Sequence, residues 1–231
     1  RVLEMGALVE NQVASAVQAM AAGDVAAARG VLDREAEVDR LEVQVDAQLS
    51  AIIARRQPTA RDLRFLIAVS KTITNLERAG DEASRIARAV QPVGGLIGSG
   101  RLEPAMGDLE FAAKLAISQL RKALDAFARL QAQAALEVLQ QDGLIDAEFD
   151  GLMRKLITYM MEDPRTISAS IELVFVAKAI ERVGDHAKNV AEQVIYVVEG
   201  ADVRYATTEA VEDLVRGRAP KASPNGAGTA P

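Results

Sequence analysis

Leu63-Arg64-Phe65-Leu66-Ile67-Ala68-Val69-Ser70-Lys71-Thr72-Ile73-Thr74-Asn75-Leu76-Glu77-Arg78-Ala79-Gly80-Asp81 is the stretch that decides the fold class. Its apolar residues return at three- and four-residue steps (Leu63, Leu66, Ile67, Ile73, Leu76), the period of an amphipathic helix and not of a strand. The stretch ends on a cassette, Glu77-Arg78-Ala79-Gly80-Asp81, that recurs as Glu181-Arg182-Val183-Gly184-Asp185 inside a second stretch of helical period. In each copy two carboxylates one helical turn apart repel each other weakly. A mid-helix glycine adds a cost of about 1 kcal/mol relative to alanine. Two local penalties written twice at matched places call for a compensating feature, and a cation between the carboxylates is the simplest one.

The same period continues outward, as in Leu152, Leu156, Ile157 and Met160. It is interrupted at Gly23-Asp24, Gln57-Pro58, the Gly94 to Gly100 stretch, Gln131, Asp163-Pro164 and Gly200. Six helices are predicted, over residues 2–22, 24–56, 59–91, 104–130, 132–162 and 165–199. No stretch reads as a strand, so the chain is expected to be all-α. The linker around Pro92-Val93-Gly94-Gly95-Leu96-Ile97-Gly98-Ser99-Gly100 falls near the midpoint of the body. The expected organisation is a three-helix unit over 1–92, a linker over 93–102, a second three-helix unit over 103–200 and a tail over 201–231. Within the tail a short helix is expected over Thr208 to Val215. From Arg216 on, Ala, Pro, Gly and Ser predominate and bury too little to order themselves, so disorder is expected there. Because Arg1 already stands in helical pattern, a missing N-terminal piece is expected, and whether it held a signal peptide lies outside this stretch of sequence.

Composition supports helices packed by aliphatic side chains: of 231 residues, 49% are hydrophobic and only 3% aromatic. The absence of cysteine excludes disulfides, thiolate zinc sites and cysteine nucleophiles, and suits a reducing, cytoplasmic setting. A net charge of -6 argues against a nucleic-acid binder, which needs a basic face. Charged residues interrupt every long apolar run, so no membrane-spanning segment is expected.

The two halves align on each other. Val31 to Asp39 matches Val138 to Asp146 at an offset of 107, Pro58 matches Pro164 at 106, and the cassettes match at 104. Small drifts of this kind are what loop-length changes leave in a duplicated unit. The alignment exposes a second acid step one helix before each cassette, Glu35 with Asp39 and Asp142 with Asp146. In an antiparallel hairpin, residues equally far from the turn lie side by side. Glu35 with Asp81 and Asp39 with Glu77 both centre on Pro58, and proline at a helix start is where a turn belongs. Asp142 with Asp185 and Asp146 with Glu181 centre between Asp163 and Pro164. Each hairpin is therefore expected to bring four carboxylates to one level, roughly 28 Å from its turn at about 1.5 Å per residue. Clusters of oxygen ligands suit hard cations, so Glu35, Asp39, Glu77, Asp81 and Asp142, Asp146, Glu181, Asp185 form two candidate metal sites.

Plainer roles are open to the same residues. Spaced acids also serve as solvated faces or as partners of Arg34, Arg40, Arg78 and Arg182, and Gly80 and Gly184 also serve by letting another helix approach. Other chemistry is disfavoured. A ferritin-like di-iron site needs Glu-x-x-His steps, whereas the single histidine, His186, follows Val183 at that spacing. No Ser or Cys with a paired His suggests a nucleophile, and no strand leads into a Gly-rich phosphate loop, so no enzymatic activity is expected. The first hairpin tip is basic (Arg55, Arg56, Arg61, Arg64), the second mixed (Glu162, Asp163, Arg165), which makes the first a candidate docking surface for an acidic partner.

The run Pro58 to Ala83, with Ile180-Glu181-Arg182-Val183-Gly184-Asp185-His186-Ala187-Lys188-Asn189-Val190, resembles the PhoU family of bacterial phosphate-signalling proteins, and the similarity extends from Leu3 to about Glu199. The resemblance implies two tandem antiparallel three-helix bundles and a negative regulatory role in the phosphate-starvation response. It further implies homodimerisation and contact with two partners, the ATPase subunit of the high-affinity phosphate transporter and a membrane sensor histidine kinase. The expected place of action is the cytoplasm, peripheral to the inner membrane through those partners and without membrane insertion. For the repeated acid steps it implies divalent or iron ions at both clusters. The alternative reading is a helical metal-binding protein whose business is metal storage or redox.

Overall fold

The computed structural model describes residues 1–97 and 103–217, and every regular element among them is helical. Helix α1 spans Val2–Ala22 and stops where Gly23 turns left-handed, φ 63°. Asp24 then caps α2 (Val25–Leu32), its carboxylate accepting from the Ala27 amide at 2.9 Å. The single helix expected over 24–56 is in fact two: α3 (Glu35–Arg56) begins after a break at Asp33-Arg34. The physical reason lies in one side chain. At the break the Arg34 amide tightens onto Val31 O, and the Gly30 carbonyl accepts from Arg34 Nε at 3.1 Å instead. Arg34 Nη1 also donates to Asn11 on α1 at 2.8 Å. The equivalent position in the second half is Gln141, and α6 runs through it unbroken.

Helix α4 spans Ala60–Ile97 and carries Pro92 inside it, longer than the pattern predicts. Proline removes a helical hydrogen bond, yet Val90 and Val93 on either side of it are both fully buried, and that packing holds the helix together. The linker expected over 93–102 thus begins as helix, and its remainder, residues 98–102, lies outside the described residues; of the tail expected to be disordered from Arg216 on, residues 218–231 lie outside them too. Helices α5 (Glu103–Arg129) and α6 (Ala132–Glu162) follow. A 3-10 turn at Pro164–Thr166, capped by Asp163, leads into α7 (Ile167–Glu199), which ends at left-handed Gly200. The short α8 (Thr208–Val215) is capped by Thr207 and leans on α6.

Packing joins two three-helix units. In the first, α1 and the α2/α3 pair lie on α4; in the second, α5 and α6 lie on α7. The most extensive contact joins the units, α4 against α7, with α1 against α5 behind it. The long pair runs antiparallel: Arg64 meets Gly200, Asn75 meets Asn189 and Glu82 meets Arg182. That register puts Gly80 level with Gly184, so the two cassettes lie side by side at the centre of the molecule.

Each cassette glycine makes room for a buried glutamine from the first helix of its unit and an aliphatic residue from the second. A Cβ on Gly80 would meet Gln12 Oε1 at 3.4 Å and Val38 Cγ1 at 3.5 Å; one on Gly184 would meet Ile145 Cδ1 at 2.7 Å and Gln119 Oε1 at 3.3 Å. The first set is ordinary contact and the second is not. Gly80→Ala is therefore expected to leave stability unchanged or raise it by up to about 1 kcal/mol through helix propensity. Gly184→Ala is expected to unfold at lower urea, about 1–2 kcal/mol below Gly80→Ala, because Ile145 must move within a filled core.

Two acidic grooves as the candidate site

The hairpin register predicted from Pro58 is present and extends beyond the cassette. Ser70 Oγ donates to Asp46 at 3.4 Å and Thr74 Oγ1 to Glu42 at 3.0 Å, two further pairs with the same midpoint. One stripe of α3, namely Glu35, Asp39, Glu42 and Asp46, thus faces Asp81, Glu77, Thr74 and Ser70 of α4. Glu42 and Asp46 escaped the sequence reading, although continuing the midpoint rule one and two steps toward the turn finds both.

The charges in this first groove feel one another. Partial burial, then Asp81, Glu42 and Asp39, pushes the Glu77 carboxyl up to about 7. Burial followed by Glu35 and Asp39 raises Asp81 as well, with Arg85 and Arg88 pulling the other way. Among the described residues the ion pair to these acids is at the rim, where Arg88 Nη2 donates to Glu35 at 2.9 Å, while Arg78 eases Glu77 only from a distance. Among the described residues Asp39, Glu77 and Asp81 form no ion pair.

The second groove brings together Asp142 and Asp146 of α6 with Glu181 and Asp185 of α7, again as the midpoint rule predicts. Burial first, then Asp142 and Glu181, raises Asp146. The Asp185 side chain reaches solvent, yet the protein packed around it is the leading cause that pushes it up to about 6, ahead of Glu181 and Asp142. Here the resemblance ends, because Lys178 donates to Glu181 at 2.6 Å and Lys188 bonds Asp142. Among the described residues, no three or more acids or His are drawn together tightly enough to hold an ion as they stand. The carboxylates line both grooves. The donor set of the first, all oxygen and short of positive partners, fits a hard cation once side chains close on it. In the second, two of the four carboxylates are already taken by ammonium groups, and the fit is poor.

Between the grooves the α4/α7 pair is tied by polar groups. Buried Glu82 accepts from Arg85 at 3.2 Å and from Arg182 at 3.4 Å. His186 Nδ1 lies 3.1 Å from Asn75 Oδ1, which also accepts from Asn189 at 3.0 Å. Burial, with Arg78 and Arg182 nearby, lowers His186 to about 4, so it is neutral near pH 7. Two cavities flank this tie along the α4/α7 seam. One of about 530 Å³ is lined by Arg85, Arg88, Lys178 and Arg182 with exposed Phe175; the other, about 330 Å³, by Lys71, Arg78 and Arg204 with Glu192. In a chain of net charge -6 this basic seam stands out. No helix among the described residues is long and apolar enough to cross a membrane.

Comparison with known proteins agrees with this architecture. The PhoU domain family model matches residues 2–90 and 109–194, one segment in each half. A phosphate-specific transport system accessory protein PhoU homolog from a Burkholderia species is 44% identical over 212 residues, covering 90% of this chain and 88% of that protein. The Escherichia coli K12 protein PhoU of the same description is 38% identical over 219 residues, covering 94% and 89%. The crystal structure of PhoU from Pseudomonas aeruginosa superposes with a TM-score of 0.81 at 41% identity, covering 87% of this chain and 94% of that one. The phosphate transport system regulatory protein PhoU from Streptococcus pneumoniae gives 0.77 at 26% identity, covering 87% and 93%. With the family model matched in both halves and relatives similar along nearly the whole length, this chain belongs to the PhoU family.

Proposed function

We propose that this protein is an accessory and negative regulator of phosphate uptake, a non-enzymatic adaptor that couples the ATPase subunit of a phosphate transporter to a membrane sensor kinase. The observation that carries the reading is similarity, over nearly the whole of both chains, to relatives described as phosphate-specific transport system accessory proteins. It acts in the cytoplasm as a homodimer, reaching the membrane through its partners. Three surfaces supply contact area for an adaptor: the basic seam with exposed Phe175, the basic tip at Arg55 and Arg56, and an apolar stretch at the end of α6 where Met161 is 80% and Ile157 48% exposed. Glu35, Asp39, Glu77 and Asp81 would hold a divalent or iron ion in the first groove, relieving the repulsion across α3 and α4.

The purified chain is expected to bind both the transporter ATPase subunit and the cytoplasmic part of the kinase in surface plasmon resonance. Arg55→Glu with Arg56→Glu is expected to lower ATPase affinity about tenfold, with a weaker salt dependence than the parent, as for charges that steer association. Unchanged affinity would remove the tip as a docking surface, and absence of binding to either partner would contradict the adaptor reading.

A further inference from the structure

We infer that the second acidic groove is not a metal centre: Lys178 and Lys188 occupy the cation positions and make the α6/α7 edge an ionic lock in which two of the four carboxylates are already paired. The inference rests on reading the first groove as cation-binding, and it separates two halves that the sequence writes alike. Lys178 Nζ donates to Glu181 at 2.6 Å and stands 5.4 Å from the centre of the Phe149 ring. That ring lies at the step where the first groove pairs Glu42 with Thr74. Lys188 reaches across to Asp142 on α6.

The internal repeat shows what has been exchanged. At the cassette offset of 104, Lys178 corresponds to Thr74 and Lys188 to Ser84, both uncharged. The first groove therefore sets six carboxylates, counting Glu42 and Asp46, against one bonded arginine at its rim, whereas the second sets four against two bonded lysines. The paired acids are the deeper ones, with Glu181 and Asp142 side chains 14% and 16% exposed. An entering divalent ion would be repelled by two ammonium groups a few ångströms away and would have to expel both, taking Lys178 off the aromatic face as well. The second edge stays closed without metal, and dependence on cations falls on the first.

Manganese binding to the full chain, measured by equilibrium dialysis with melting curves recorded in parallel, tests this. Wild-type protein and E181A/D185A are expected to bind the same amount, while E77A/D81A loses it. K178M/K188M is expected to gain one further site's worth of manganese, abolished again when E181A/D185A is added, and to show a manganese-dependent rise in Tm that survives E77A/D81A. If the methionine pair does not fold, K178Q/K188Q carries the same test. Loss of manganese in E181A/D185A alone, or no gain in a folded lysine variant, overturns the inference. Wild-type protein that binds none, with gain in the lysine variant, sinks the reading of the first groove and leaves the lock standing.

Discussion

Glu77→Gln is expected to raise the melting temperature of the metal-free protein by several degrees at pH 8 and to leave it unchanged near pH 4.5. In the folded chain partial burial and the neighbouring Asp81, Glu42 and Asp39 push Glu77 up to about 7, against 4.5 when the chain is unfolded. A carboxyl raised on folding stabilises fully below its unfolded value, and that contribution is lost as pH rises through the folded one. Its full linkage would be about 3 kcal/mol. Water reaching the groove and screening by salt reduce this to about 1–2 kcal/mol, worth roughly 2–4 °C per kcal/mol in a chain of this size. Glutamine mimics the protonated acid, so the variant keeps above pH 7 the stability the parent loses. Below pH 6.5 neutral, buried His186, held down at about 4, opposes the trend in both proteins, and the difference between them cancels it. Parallel melting profiles for the two proteins from pH 4.5 to 8 would show that Glu77 is solvated and uncoupled. A saturating divalent cation should reverse the difference, because it binds and stabilises the parent more than the variant that lacks the Glu77 carboxylate.

Much of this arrangement is written in the chain. The helical period through Leu63 to Leu76, the left-handed stops at Gly23 and Gly200 and the caps at Asp24 and Thr207 are local features, and local rules read them. The pairing of acids across each hairpin is legible because a turn at Pro58 or Pro164 fixes what lies opposite what. The break at Asp33-Arg34 is not, since it depends on an arginine side chain replacing a backbone donor at Gly30. Nor is the continuation of α4 through Pro92, where burial of Val90 and Val93 overrides a strong local signal. Placing Gly80 level with Gly184 requires the α4/α7 register, which no spacing within either half encodes. Lys178 and Lys188 stand in plain view, three residues before Glu181 and three after Asp185. Only the structure shows that both turn onto the acids.

The cassette therefore has two roles that the sequence superimposes. Its glycine admits a buried glutamine and closes the core of its own three-helix unit, while its acids face outward into an edge groove. Gln12 and Gln119, both nearly fully buried, belong to the first role and the grooves to the second. A glycine substitution should thus disturb stability and an acid substitution should disturb cation response.

Deletion of the gene, with a phosphate-starvation promoter reporter read in phosphate-rich medium, is expected to produce the largest effect, because under the proposed adaptor role removing the protein cuts transporter from kinase altogether. Constitutive reporter expression, returned to the repressed level by the full chain supplied in trans, is the predicted result. A reporter that stays repressed in the deletion strain would contradict the regulatory role, and altered metal tolerance in that strain would point instead to metal handling.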